Sequence, residues 1–349
     1  MRRFLRRPEI MPLIALAILL IFNLIFTPGF FSLEIKDGHL YGSLIDIIKR
    51  GTPLMFIALG MTLVIATGGT DISVGSVAAI SGAVVCKLIG GEFQFAAGVE
   101  QVTQTPIFLA IAIALFVSLL CGLWNGFLVA RLGVQAMVAT MILQVAGRGI
   151  AQLITSGTII TVYYKPFFVF GSGWLFGLPF SIYVVSIVAV LFYIFTRKTS
   201  YGMYLEAAGS NRLASRFAGI KVQRVIWIAF AVCSLMAGIA GILLASDVKS
   251  ADANNAGLNI ELDAILACVI GGNSMKGGRF SLVGSIIGAL IVQTLTTTIY
   301  MKGIPSETTL VAKAIVVILC GLIQSVNFKK MFSGMSLTDE KAMPQTKGE

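Results

Sequence analysis

Apolar runs of roughly 17–25 residues, the length that spans the hydrocarbon of a bilayer, recur along this chain. They begin near Ile10, Pro53, Ile72, Pro106, Val134, Ser181, Val225, Leu262, Ser281 and Leu310. Inside a bilayer no water can satisfy backbone groups, so segments of this kind must close their hydrogen bonds internally, as helices. The sequence therefore predicts an all-α fold, a polytopic bundle of about 8–10 membrane-spanning helices. Composition agrees. Only 12% of the 349 residues are charged and 57% are hydrophobic, with mean hydropathy +0.91; soluble domains carry about 25% charged residues. Two runs, Pro53–Thr67 and Leu262–Gly272, are short and each runs into or ends at Gly-Gly. Either reads as a half-helix or re-entrant segment.

The chain reads as one transmembrane domain over 1–349, with a cytosolic loop over 197–224 and a cytosolic tail over 329–349. Its net charge of +10 calls for no nucleic acid. With ten crossings and an internal N-terminus, most of the 26 lysines and arginines fall on the cytosolic side, as the positive-inside rule requires. Both termini are then cytosolic. The cluster Arg2, Arg3, Arg6 and Arg7 precedes an apolar run to about Phe26, and Thr27-Pro28-Gly29-Phe30-Phe31 lacks a small-residue cleavage pattern. It reads as an uncleaved first helix. The cysteines (Cys86, Cys121, Cys233, Cys268, Cys320) sit in apolar segments without metal spacing and read as small core residues. The single His39 has no catalytic company.

The stretch Gly68-Gly69-Thr70-Asp71-Ile72-Ser73-Val74-Gly75-Ser76 places an acid, hydroxyls and glycines inside apolar sequence. A carboxylate at membrane depth costs roughly 2.5–3.5 kcal/mol even on the lenient insertion scale, so Asp71 needs water or a partner. Either it lies at a helix break beside a solute path, with Ser73, or it is an exposed cap of the following helix. Gln144, Arg148 and Gln152 stand four residues apart and share one helical face. With Asn125, that face either lines a hydrophilic path or hydrogen-bonds between helices. Arg148 can pair with Glu261 or Asp263, or snorkel outward. Asn254 and Asn255, followed by Glu261 and Asp263, sit at the external mouth; carboxamides and carboxylates are groups that bond sugar hydroxyls. An ordinary solvated loop is the plainer reading.

The loop Thr199–Arg224 reads as helix, turn, short helix, turn, through Glu206, Ala207, Gly209, Asn211, Arg212 and Gly219. It is basic and rich in small residues. It suits docking in the groove of a cytosolic partner, or facing anionic membrane lipid. No Gly-x-x-x-x-Gly-Lys-Ser/Thr loop occurs, so ATP is not hydrolysed by that route in this chain. Buried titratable groups are too sparse for a typical ion-coupled carrier. The energy source is expected to lie in another polypeptide.

Three segments then carry a resemblance. GGTDISVGS at 68–76, GMYLEAAGSNRLASRFAGIKV at 202–222 and ELDAILACVIGGNSMKGG at 261–278 resemble the permease subunits of ribose-type bacterial ABC sugar importers. GRGIAQLITSG at 147–157 and ADANNAGL at 251–258 look most like the galactofuranose-importing branch. Phe280, where the commoner pattern has Gly, and Thr70, where it has Ile, weigh against ribose. The resemblance implies a non-catalytic subunit of the inner membrane that binds no cofactor itself. Its partners would be a cytosolic ATP-binding subunit that uses ATP, a periplasmic sugar-binding protein and a second permease subunit, as heterodimer or homodimer. The loop from Glu206 to Gly219 would be the coupling element. An ion-coupled secondary carrier and a non-transporting scaffold remain as the competing classes.

Overall fold

The computed structural model describes residues 10–36, 38–90, 105–305, 308, 311 and 313–315. The arginine cluster at 2–7, most of the run from Leu310 and the tail at 329–349 lie outside the described residues. A compact unit reaches to Thr298 and a second begins at Ile299; every site below belongs to the first. In order, the helices are α1 (Ile10–Phe26), α2 (Ser43–Ala66), α3 (Val74–Gly90), α4 (Ile107–Ala130), α5 (Ala136–Ile154) and α6 (Lys165–Ser172). There follow α7 (Phe180–Lys198), α8 (Ser200–Ser210), α9 (Arg212–Phe217), α10 (Val222–Val248), α11 (Ile260–Ile270) and α12 (Leu282–Met301). Three two-stranded antiparallel ribbons complete the described residues: β1 (Glu34–Lys36) with β2 (His39–Tyr41), β3 (Ile160–Thr161) with β6 (Ser250–Ala251), and β4 (Trp174–Leu175) with β5 (Leu178–Pro179).

Six helices (α2, α4, α5, α7, α10 and α12) are long and apolar enough to cross a membrane, and α1 and α3 are apolar helices of 17 residues. The polytopic helical bundle read from the sequence is what forms. Pro53–Thr67, however, is no half-helix. It is the second part of α2, which runs through Pro53 for 24 residues. Proline deletes one backbone donor and leaves the carbonyl four residues back without its helical partner, a loss that a membrane helix packed among neighbours tolerates. By contrast α11 has 11 residues, about 16 Å at 1.5 Å per residue. It cannot cross roughly 30 Å of hydrocarbon.

The 27-residue α10 is the axis of the first unit, packed against α2, α3 and α4. Apolar surface gives little drive between helices already in lipid, so close backbone approach through small residues supplies the packing. A Cβ on Gly241 would collide with the Ala78 carbonyl of α3, one on Gly122 would stand 2.6 Å from the Phe230 carbonyl, and one on Gly60 2.8 Å from Cys233 Cα. The Ser81 hydroxyl of α3 donates to the Gly238 carbonyl at 2.9 Å. Outward, α4, α5 and α7 present Phe108, Phe116, Ile142, Val145, Ile187 and Leu191, the apolar face a lipid-bathed helix needs.

Two helix ends share one device. After α2, Gly68 takes φ +79°, its N–H bonds the Ile65 carbonyl and that of Gly69 the Val64 carbonyl. After α11, Gly272 takes φ +85°, its N–H bonds the Val269 carbonyl and that of Asn273 the Cys268 carbonyl. Both are glycine C-caps with paired back-bonds. A serine follows each as the start of the next helix: Ser73, whose carbonyl takes the Val77 N–H, and Ser281, whose carbonyl takes the Ser285 N–H. The two Gly-Gly pairs that end the short apolar runs thus share one geometry.

The packing of α10 yields a paired expectation. Gly241→Ala forces α10 away from α3 and costs on the order of 1–3 kcal/mol, whereas Gly149→Ala meets nothing within 4 Å and is neutral or slightly stabilising. Thermal unfolding of both variants in detergent measures the difference; equal midpoints would refute the close approach.

Candidate functional site

The turn between α2 and α3 is buried. Asp71, Ser73 and Ser76 are each 0% exposed, so the exposed-cap reading of Asp71 does not hold. Asp71 Oδ1 accepts from the Ser73 backbone N–H at 3.0 Å and from the Ser73 hydroxyl at 2.6 Å. Asn125, buried on α4, donates from Nδ2 to Ser73 Oγ at 2.9 Å. Asp71 Oδ2 and Asn125 Oδ1 have no hydrogen-bonding N–H or O–H of their own, and the weakly polar Cys233 thiol of α10 stands alongside the carboxylate. Three helices therefore converge on one buried carboxylate. A buried carboxylate short of donors carries a desolvation penalty of several kcal/mol, tolerable where it serves the site.

The neighbouring column is built by α5. Thr140, Gln144, Arg148 and Gln152 follow at four-residue steps, and all four turn toward protein. The Ile72 N–H donates to Thr140 Oγ1 at 3.1 Å and the Ser76 N–H to Gln144 Oε1 at 3.1 Å, so α5 satisfies backbone donors at the start of α3 that no turn of helix can reach. Gln144 Nε2 then donates to Glu261 Oε1 at 3.2 Å. Arg148 Nη1 donates to the carbonyls of Ala256 at 2.6 Å and Ala253 at 3.1 Å. Arg148 does not snorkel; it clamps the loop before α11.

Arg148 Nη2 and Glu261 Oε2 are buried without hydrogen-bond partners, and they do not close into a salt bridge. Both border Gly75, where a Cβ would collide with Glu261 Oε2 and stand 3.5 Å from Arg148 Nη2. A donor and an acceptor so placed are what a polyol requires, since each hydroxyl both donates and accepts.

The remaining predicted residues separate. Asn254 is exposed and accepts from Gln152 Nε2 at 2.6 Å. Asn255 spends its amide on its own loop, donating from Nδ2 to Asp252 Oδ2 at 2.7 Å; that bond, with the N–H groups of Asn254 and Asn255, holds the Asp252 carboxyl below the usual carboxylate range. Asp263 is half-exposed two residues along α11 from Glu261. The structure thus brings Asp71, Ser73 and Asn125 into one cluster, and Gln144, Arg148 and Glu261 into a second beside it. Thr140 was missed, and Cys233 was read only as core. For Thr140 the signal was present, one four-residue step below Gln144.

The residues of the 197–224 loop form a third group, which meets the end of α2. Asn211 caps α9 by accepting from the Ala214 N–H at 3.0 Å, and Gly219 ends the motif at φ +82°, so helix, turn, short helix and turn appear as read. Glu206 lies 3.6 Å from Arg197, and the Ala207 carbonyl accepts from the Asn211 N–H at 3.1 Å. Arg212 donates to the Thr67 carbonyl at 3.2 Å, and the Gly278 N–H to the Ala66 carbonyl at 3.0 Å. A Cβ on Gly209 would collide with that same Ala66 carbonyl. The loop is seated on the end of α2, just ahead of the turn that carries Asp71. Met203, Tyr204, Leu213 and Phe217 are left exposed.

One test follows from the clamp. Arg148→Gln loses the bonds to Ala253 and Ala256 and leaves Glu261 without a nearby cation, so protease cleavage or hydrogen exchange in 251–257 should rise by about tenfold or more; unchanged protection would contradict the assignment.

Residues 43–321 match the family described as branched-chain amino acid transport system / permease component. The chain is 45% identical to a galactofuranose transporter permease protein of Escherichia coli (strain K12), over 97% of this chain and 96% of that one. It is 36% identical to a fructose import permease protein of Bifidobacterium longum (strain NCC 2705), over 93% and 89%. It is 34% identical to a ribose import permease protein of Haemophilus influenzae, over 88% and 90%. No solved structure matches it.

Proposed function

The chain belongs to the permease-component family of branched-chain amino acid transport systems, and from that premise we propose that it is the sugar-conducting subunit of an ATP-driven importer, with galactofuranose as its cargo. It is a multi-pass inner-membrane protein and a transport subunit that does no covalent chemistry. Identity of 45% to a galactofuranose permease, against 36% and 34% to fructose and ribose permeases, favours that sugar. The observation that carries the reading is the polar column of α5, with Arg148 Nη2 and Glu261 Oε2 unspent beside Gly75.

The mechanism begins at the loop. A partner ATPase grips α8 and α9, with both termini on its side of the membrane and a sugar-binding protein on the other. Gly209 and Gly278 leave no slack against the Ala66 carbonyl, so a push on α8 reaches the end of α2. Movement there alters the turn that holds Asp71 and Ser73, and through Ser76 and Gln144 it reaches Glu261. The sugar passes between the two arrangements of that column, in a path completed by a second permease subunit.

Proteoliposomes holding the permease with its ATPase and binding protein test this. Uptake of galactofuranose should depend on ATP and exceed that of ribose; uptake driven by a proton gradient without ATPase would support an ion-coupled carrier instead. Asp71→Ala and Glu261→Gln should each lower uptake about tenfold or more while insertion and copurification of the ATPase persist. Gly209→Val should act in the opposite pattern, weakening copurification. Wild-type uptake in the first two variants, or wild-type copurification in the third, would reject the corresponding role.

A further inference from the structure

A cavity of about 650 Å³ lies between the C-terminus of α4 and the N-terminus of α10, away from the column described above. Arg131, Arg216, Lys221 and Arg224 surround it, and Trp227 closes one wall. None of these four cations joins the ion pairs of the described residues. Like charges gathered around one cavity repel each other and draw an anion into it. The N-terminus of the 27-residue α10 opens on the same space without a side-chain cap, its N-cap being Lys221; the positive end of the helix dipole adds to the attraction. Guanidinium groups favour phosphate because they can meet two of its oxygens at once.

The surroundings say where the phosphate comes from. The Trp227 indole donates to the Leu123 carbonyl at 2.8 Å while its ring stays 42% exposed. On α4, Trp124 and Phe127 are also exposed, their rings 6.5 Å apart. Exposed aromatic rings below a basic rim are the arrangement of a membrane interface, where rings sit at headgroup level and basic groups reach the phosphates. We propose that this cavity binds the phosphate of an anionic phospholipid headgroup, with the acyl chains running along Trp124, Phe127 and Trp227. The site would tie the junction of α4 and α10 to the leaflet, independently of which sugar is carried.

The experiment is native mass spectrometry of the purified full-length chain, titrated with phosphatidylglycerol or phosphatidylcholine, with and without millimolar inorganic phosphate. The variant is Arg216→Gln/Lys221→Gln/Arg224→Gln; the control, Lys198→Gln/Lys276→Gln/Arg279→Gln, removes equal charge elsewhere. Wild type and control should retain phosphatidylglycerol about tenfold or more over phosphatidylcholine, and the variant should lose that preference. If the triple variant is not recovered, Arg224→Gln alone should weaken retention in the same direction. Equal retention by wild type and variant overturns the site. Equal binding of both lipids together with saturable binding of inorganic phosphate overturns the lipid and leaves a free anion in its place. Unchanged lipid retention with loss of the copurifying ATPase assigns the cavity to a protein partner, and also overturns it.

Discussion

The Ala66 carbonyl, at the last turn of α2, is where three backbone segments meet. It accepts the Gly278 N–H at 3.0 Å, and the α-carbon of Gly209 lies against it. At the end of a membrane helix the final carbonyls have no partner in their own helix, and lipid supplies none. Here the glycine cap takes those of Val64 and Ile65, and chain from far along the sequence takes that of Ala66. The consequence is mechanical as well as energetic: under the proposed function, what caps α2 is also what the partner ATPase would hold. The Thr67 carbonyl, taken by Arg212 at 3.2 Å, repeats the arrangement one residue on.

From that contact the polar groups follow in order. The glycine cap after Thr67 turns the chain and delivers Asp71 to a buried position, where Ser73 and Asn125 bond around it. The start of α3 is then left with N–H donors, and α5 answers with Thr140 and Gln144. Gln144 hands the network to Glu261, and Arg148 anchors the loop that precedes it. Charged groups at this depth are costly, and a network that leaves Arg148 Nη2 and Glu261 Oε2 unspent keeps part of that cost uncompensated within the protein. Under the proposed function, a hydroxyl-rich cargo would offset it.

Much of this was legible in the sequence because it depends on local spacing. The four-residue step of Gln144, Arg148 and Gln152 fixed a polar helical face, Gly68-Gly69 marked a break, and Asn211 and Gly219 marked the turns of the loop. What spacing could not show was partnership at long range. Thr140 looks like any helical threonine until the Ile72 N–H is found beside it. Cys233 reads as core, and is core, yet it stands next to Asp71. Gly209 is constrained by Ala66 and Gly278, both far from it in sequence. The short run from Pro53 to Gly68-Gly69 suggested a half-helix, but the less apolar residues before Pro53 are helical too and extend it into the 24-residue α2. Asn255 offered a sugar-binding carboxamide, and its own loop consumes it through Asp252.

Alternation of this column between the two faces of the membrane is the central claim, and side-specific labelling measures it most directly. A cysteine at Gln144, in a chain otherwise free of reactive cysteine and assembled with its ATPase, is exposed to a membrane-impermeant thiol reagent from each side in turn. The account predicts reaction from one side without nucleotide and from the opposite side once ATP is bound. Reaction from a single side in both states, or from neither, would contradict it.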